Sequence, residues 1–135
     1  MPHISPFRFP KENVNRLSGK IVEAALLIRN KKELTAFFDD LLTSTEKVML
    51  GKRLLIAMFL EHDYTYQEIR RVLKVGETTI AVISEKLQQK GDGFHIAVRK
   101  LQKQEKIEAI FDAFERLMKN IPPKIGPSRW RFLRE

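Results

Sequence analysis

Residues 65–83 read TYQEIRRVLKVGETTIAVI, and this pattern predicts two short helices joined by a tight turn. Thr65 followed by Glu68 is a capping box, a reciprocal pair of hydrogen bonds that opens a helix. The helix that follows has an apolar face at helical spacing, made of Ile69, Val72 and Leu73. The pattern is typical of the first half of a helix-turn-helix.

The turn and the second helix complete this motif, which covers residues 65–89. A turn at residues 74–76 places Val75 between the two helices. The second helix is expected to bury one face, made of Ile80, Ile83 and Leu87. The same spacing turns the opposite face outward, with Glu77, Thr78, Ala81, Val82 and Glu85 on it.

The N-terminal part of the second helix is the predicted site of DNA recognition, since this part of such a helix reaches base edges in the major groove. Threonine suits that position because its hydroxyl donates or accepts a hydrogen bond and its methyl group contacts thymine. The predicted base contacts are Glu77, Thr78, Thr79, Ala81 and Val82. The first helix and the turn supply cations for the phosphates, namely Arg70, Arg71 and Lys74.

Two departures from the common motif, at Lys74 and at Arg70, where a small residue is usual, leave a second interpretation open, and so does the charge of the second helix. Lys74 occupies a turn position where glycine is frequent, and a non-glycine residue in the left-handed region costs about 1 kcal/mol. The second helix carries Glu77 and Glu85, so it is not itself basic. The alternative is a helical protein- or RNA-interaction module with a degenerate helix-turn-helix.

The rest of the chain is also predicted to be helical, so the fold class is all-α. Proline is confined to positions 2, 6, 10, 122, 123 and 127, and none interrupts the span between them. About six helices are expected, near residues 13–29, 32–41, 43–62, 66–73, 77–89 and 94–120. The predicted domain covers residues 13–121, between an N-terminal tail (1–12) and a basic aromatic C-terminal tail (122–135).

The third and last predicted helices carry a surplus of apolar side chains. Thr43 and Glu46 form a capping box at the start of the third helix, and Leu54 to Leu60 is apolar on every side. Such a helix must be covered all round, either at the centre of the domain or by a partner subunit. The last helix adds an apolar stripe from Ile107 to Ile121. We therefore expect a homodimer.

The composition of the 135 residues excludes several classes of protein. Lys and Arg number 25 against 17 Asp and Glu, and the net charge of +8 favours a polyanionic partner. Absence of cysteine fits a cytoplasmic protein, and no apolar run approaches the ~20 residues of a membrane span. The three histidines lack metal-ligand spacing, and no catalytic motif is present. We expect no enzyme activity, no metal and no cofactor.

The chain resembles the tryptophan repressor family from about Leu34 to Gly93, and most closely those relatives that lack a demonstrated tryptophan response. The resemblance lies in five stretches with matching order and spacing, LLTSTE (41–46), LGKR (50–53), YTYQEI (64–69), TTI (78–80) and GDGF (91–94). It implies a repressor that acts as an intertwined homodimer. Such a dimer presents two helix-turn-helix motifs to a roughly palindromic operator in double-stranded DNA.

The resemblance also predicts that free tryptophan does not control this protein. In the tryptophan repressor, an arginine matching Arg53 and an Arg-Gly pair in the second helix help to form the corepressor pocket. That pair is replaced here by Val82 and Ile83. The pocket would lose a charge and be partly filled by apolar side chains, and the identity of any other effector stays open.

Overall fold

The computed structural model describes residues 10–119. Within this range the chain forms seven α-helices and no strand, which confirms the all-α prediction. The helices are α1 (Lys11–Leu27), α2 (Lys31–Leu41), α3 (Ser44–Glu61), α4 (Tyr66–Leu73), α5 (Glu77–Gln89), α6 (Asp92–Leu101) and α7 (Ile107–Lys119). None of these helices is both long enough and apolar enough to cross a membrane. Residues 1–9, which are most of the predicted N-terminal tail, and residues 120–135, which include the whole predicted C-terminal tail, lie outside the described range.

The first of two compact units ends at Lys47 and contains α1, α2 and the start of α3. Asn30 begins α2, since its side chain accepts a hydrogen bond from the amide of Glu33 at 2.8 Å. The predicted capping box of α3 is confirmed. The Thr43 hydroxyl accepts from the Glu46 amide, and the Glu46 carboxylate accepts from the Thr43 amide. Neither α1 nor α2 contains a buried residue.

The second unit begins at Val48, and its core forms around the C-terminal half of α3. Four consecutive α3 residues are completely buried, Ile56, Ala57, Met58 and Phe59. The cluster around them draws buried side chains from all four later helices, namely Ile69, Val72, Leu73, Ile80, Ile83, Val98, Ile107 and Phe111. The apolar half of α3 therefore occupies a central position within this unit.

The single helix predicted over residues 94–120 is wrong, because α6 ends at Leu101 and α7 begins at Ile107. Both helices contribute to one core, α6 through Val98 and α7 through Ile107. At ~100° per residue, these two side chains would lie about 180° apart on one straight helix. Since residues 102–106 contain neither glycine nor proline, the break comes from packing and raises the number of helices to seven.

The start of α6 is fixed by a glycine and by a polar contact with α3. Gly91 has a φ of +60°, and a Cβ atom there would lie 2.9 Å from the Cα atom of Leu87, so only glycine fits. Helix α6 begins directly after this glycine, at Asp92. His95 then makes a hydrogen bond through Nδ1 to the carboxylate of Glu61 at the end of α3.

Candidate nucleic-acid interface

The first helix of the motif, α4, has the predicted bounds and the predicted cap. The Thr65 hydroxyl accepts from the Glu68 amide at 3.1 Å, and the Glu68 carboxylate accepts from the Thr65 amide at 2.9 Å. The bond from the Thr65 amide, and after it a second one that the Thr65 hydroxyl donates to the same carboxylate at 3.1 Å, hold the pKa of Glu68 below its ordinary value. The predicted apolar face is buried, at Ile69, Val72 and Leu73. The cap and the core together fix the direction of α4.

The turn between the two helices is strained and accepts a hydrogen bond from α3. Lys74 lies in the left-handed region, with φ 54° and ψ 55°, as the comparison with glycine-containing turns predicted. Lys52 of α3 donates a hydrogen bond from its Nζ atom to the carbonyl oxygen of Lys74, at 3.3 Å. Val75 is half-buried and packs against the core, so it is less enclosed than expected.

The second helix of the motif, α5, presents its predicted outward face to solvent. Ile80 and Ile83 are buried, and Leu87 is half-buried against the core. The residues predicted to contact bases are all exposed, namely Glu77, Thr78, Thr79, Ala81 and Val82. Apolar Val82 keeps 48% of its surface accessible. The N-terminal half of α5 is thus an exposed surface with both hydroxyl and methyl groups.

The three cations predicted to contact phosphates lie at the C-terminal end of α4 and just after it. Arg70 and Arg71 are in the last turn of α4, Lys74 follows directly, and all three side chains are exposed. The motif therefore brings these cations next to the start of α5 along the chain. Positive charge also suits this position electrostatically, because the C-terminal end of a helix carries a partial negative charge.

Two charged residues at this surface were missed from the sequence. Glu115 of α7 accepts a hydrogen bond from Arg71, with 2.7 Å between Oε2 and Nη2. Lys52 contacts the turn, although the sequence offered no reason to connect it with Lys74. The sequence signal that could have located Glu115 was the apolar stripe of α7. Because this stripe was predicted to belong to one continuous helix with α6, no contact between α7 and α4 was expected.

A groove of about 700 Å³ opens in the second unit, beside the helix-turn-helix. Its lining is mostly apolar and includes Leu54, Phe94 and Ala97. Lys86 and Lys90 at the end of α5 add positive charge to it. Between residues 10 and 119, no three His, Cys, Asp or Glu side chains lie close enough to hold a metal ion.

The helical fold and the exposed second helix define a helix-turn-helix protein. Residues 18–102 match the family model described as Trp repressor protein, and this match spans well over half of the chain. The chain belongs to the Trp repressor family. The family takes its name from a repressor, which is a regulator and not an enzyme.

YerC, an uncharacterized protein of Bacillus subtilis (strain 168), is 27% identical to this chain over 96 residues. The aligned part covers 68% of this chain and 92% of YerC. No solved structure matches the chain. The family match confirms the resemblance found in five short stretches, extends it in both directions, and ends before α7.

Proposed function

We propose that this protein is a sequence-specific DNA-binding transcription regulator, a repressor that acts in the cytoplasm as a homodimer. The observation that carries the proposal is the exposed N-terminal half of α5, which directly follows the cationic end of α4. The family supports the proposal, because its namesake is a repressor. Our proposal does not include control by tryptophan.

The exposed residues of α5 suit the direct readout of bases. Thr78 and Thr79 offer hydroxyl groups for hydrogen bonds and methyl groups for thymine, and Glu77 is able to accept from a cytosine amine. Ala81 and Val82, one turn further along the helix, offer apolar contacts to thymine methyl groups. These five residues are therefore the proposed base contacts.

Arg70, Arg71 and Lys74 are the proposed phosphate contacts. Phosphate contacts fix the register of a protein on the duplex but carry no sequence information of their own. Loss of one such contact lowers affinity for every sequence and reduces the salt dependence of binding by about one counterion. Base contacts behave differently, since their loss lowers discrimination at one position.

The first compact unit supports the proposed homodimer. It contains no buried residue in α1 or α2, although both helices are amphipathic. The exposed apolar side chains of α1 are Val14, Leu17, Ile21, Val22, Leu26 and Leu27. Val14, Leu17 and Ile21 share one face of α1 at helical spacing, and exposed apolar surface of this kind marks an interface in a folded protein. A two-fold dimer would present two copies of α5 to a palindromic site.

The proposed function is tested by selecting bound duplexes from a random DNA pool and measuring affinity for the selected and for unrelated DNA. Thr79→Ala is expected to cost about 1–3 kcal/mol on the selected site and little on unrelated DNA. Arg70→Ala is expected to weaken binding to the selected site and to unrelated DNA equally. Light scattering is expected to give twice the 15.8 kDa of one chain. A pool without enrichment, or equal behaviour of the two variants, would contradict base readout.

The second candidate is a helical module that binds a protein or RNA partner through a degenerate helix-turn-helix. The observation that favours it is the acidity of the exposed face of α5, which carries Glu77 and Glu85. Repulsion between these carboxylates and phosphates would weaken DNA binding. Charge reversal by Glu85→Lys, compared with Glu108→Lys on α7, distinguishes the candidates, because the first change strengthens DNA binding more than the second only if α5 approaches the duplex.

A further inference from the structure

Helix α7 lies beyond the part of the chain that matches the family model, yet it contacts the first helix of the helix-turn-helix. The family match ends at residue 102, and α7 begins at Ile107. Helix α7 packs directly on α4, and both Ile107 and Phe111 are buried in the common core. Any charged group on the rim of α7 is therefore held at a fixed place beside α4.

Glu115 is the charged group that α7 places against a proposed phosphate contact. Its Oε2 atom accepts from Nη2 of Arg71 at 2.7 Å, the length of a strong charge-assisted hydrogen bond. The side chain of Arg71 remains 54% exposed, whereas that of Glu115 is 29% exposed. The guanidinium thus faces solvent and a carboxylate at the same time.

A carboxylate and a phosphate compete for the same guanidinium. Binding of a phosphate either displaces Glu115 or brings two anions together around one cation, and both reduce the gain from the contact. The neighbouring Arg70 is also exposed and forms no salt bridge with another described residue. Two adjacent arginines of one helix therefore differ in their readiness to bind phosphate.

We infer that Glu115 limits the DNA affinity of this protein, because its carboxylate occupies the guanidinium of Arg71. Helix α7 places this affinity-determining residue beside the helix-turn-helix. The inference rests on the proposed function. Glu115 acts by competing with phosphate for Arg71 and is not itself a contact to DNA. Because the pair is accessible to water, the competition depends on ionic strength.

The test compares the full-length protein with its Glu115→Gln, Arg71→Ala and doubly substituted variants on one selected operator over a series of salt concentrations. Glu115→Gln is expected to tighten binding about two- to five-fold at low salt, the range typical of an exposed ion pair. It is also expected to steepen the salt dependence by up to about one counterion, as a newly available phosphate contact does. In the Arg71→Ala background, Glu115→Gln is expected to have no effect.

Glu108→Gln is the matched control, since it removes the same charge from an exposed position on the same helix. Equal tightening by both variants would mean that the change in net charge alone explains the tighter binding, and this would overturn the inference. Weaker binding by Glu115→Gln would also overturn it, because Glu115 would then orient Arg71 for DNA. Glu115→Ala gives a second measurement if the glutamine variant does not fold. Failure of the unsubstituted protein to bind any DNA would refute the proposed function itself, with this inference.

Discussion

Tyr64 stacks on Phe111, with 4.4 Å between the ring centroids and 22° between the ring planes. Both rings also pack against Phe59 of α3, at 5.4 Å in each case. Tyr64 directly precedes the cap of α4, whereas Phe111 lies in α7, outside the family match. This aromatic cluster joins the most buried part of the core to the start of the helix-turn-helix. Burial in it raises the pKa of Tyr64 above its ordinary value.

Phe111→Ala is expected to lower the free energy of unfolding by about 3–5 kcal/mol, because it removes a buried ring and leaves a cavity. Leu117→Ala in the same helix is the control, since Leu117 is 59% exposed. That change is expected to stay within about 0.5 kcal/mol. Denaturant unfolding followed by circular dichroism measures both. A small loss for Phe111→Ala would contradict the packing of α7 on this unit.

Lys74→Gly is expected to stabilise the protein by up to about 1 kcal/mol. Glycine relieves the left-handed strain at φ 54°, and this gain exceeds the added entropy of the unfolded chain. The same variant is expected to bind all DNA sequences more weakly, because a proposed phosphate contact is lost. Asp63→Gly separates the two effects. Asp63 also has a left-handed φ, of 64°, but is not a proposed DNA contact.

Stability is expected to decrease as the pH rises above the ordinary histidine pKa, about 6.5. The hydrogen bond that His95 donates to the Glu61 carboxylate, with a further contribution from the charge of Glu61, raises the pKa of His95 in the folded protein. A raised folded pKa stabilises the protein at low pH, and this stabilisation disappears as His95 loses its proton. Thermal unfolding across this range measures the slope. Glu61→Gln is expected to flatten it, and an unchanged slope would mean that the pair does not act in solution.

Addition of tryptophan is expected to leave DNA affinity unchanged. A bound amino acid needs cations for its carboxylate and room for its ring, and an unpaired buried carboxylate costs several kcal/mol. Compared with the corepressor pocket of the tryptophan repressor, the resemblance puts Ile83 in the place of a glycine and Val82 in the place of an arginine. The side chain of Ile83 is almost completely buried. Binding to a selected operator with and without excess tryptophan checks this expectation. Tryptophan-dependent tightening would require a pocket formed by other residues.

Local patterns in the sequence were sufficient for α4 and α5, both of which have the predicted bounds. A capping box uses neighbours three residues apart, and helical spacing separates Ile80 and Ile83 from the exposed Thr78 and Thr79. These signals depend on the chain's own geometry, so no distant contact was needed to read them. The exposure of the proposed DNA-contacting residues could be predicted for the same reason.

Contacts between distant parts of the chain determined the rest. The break between α6 and α7 follows from the need of Val98 and Ile107 to reach one core, and no breaking residue marks it. The contact of Arg71 with Glu115 spans 44 positions in the chain, and that of Lys52 with Lys74 spans 22. Such pairs leave no local pattern, because they form only when packing has brought their helices together.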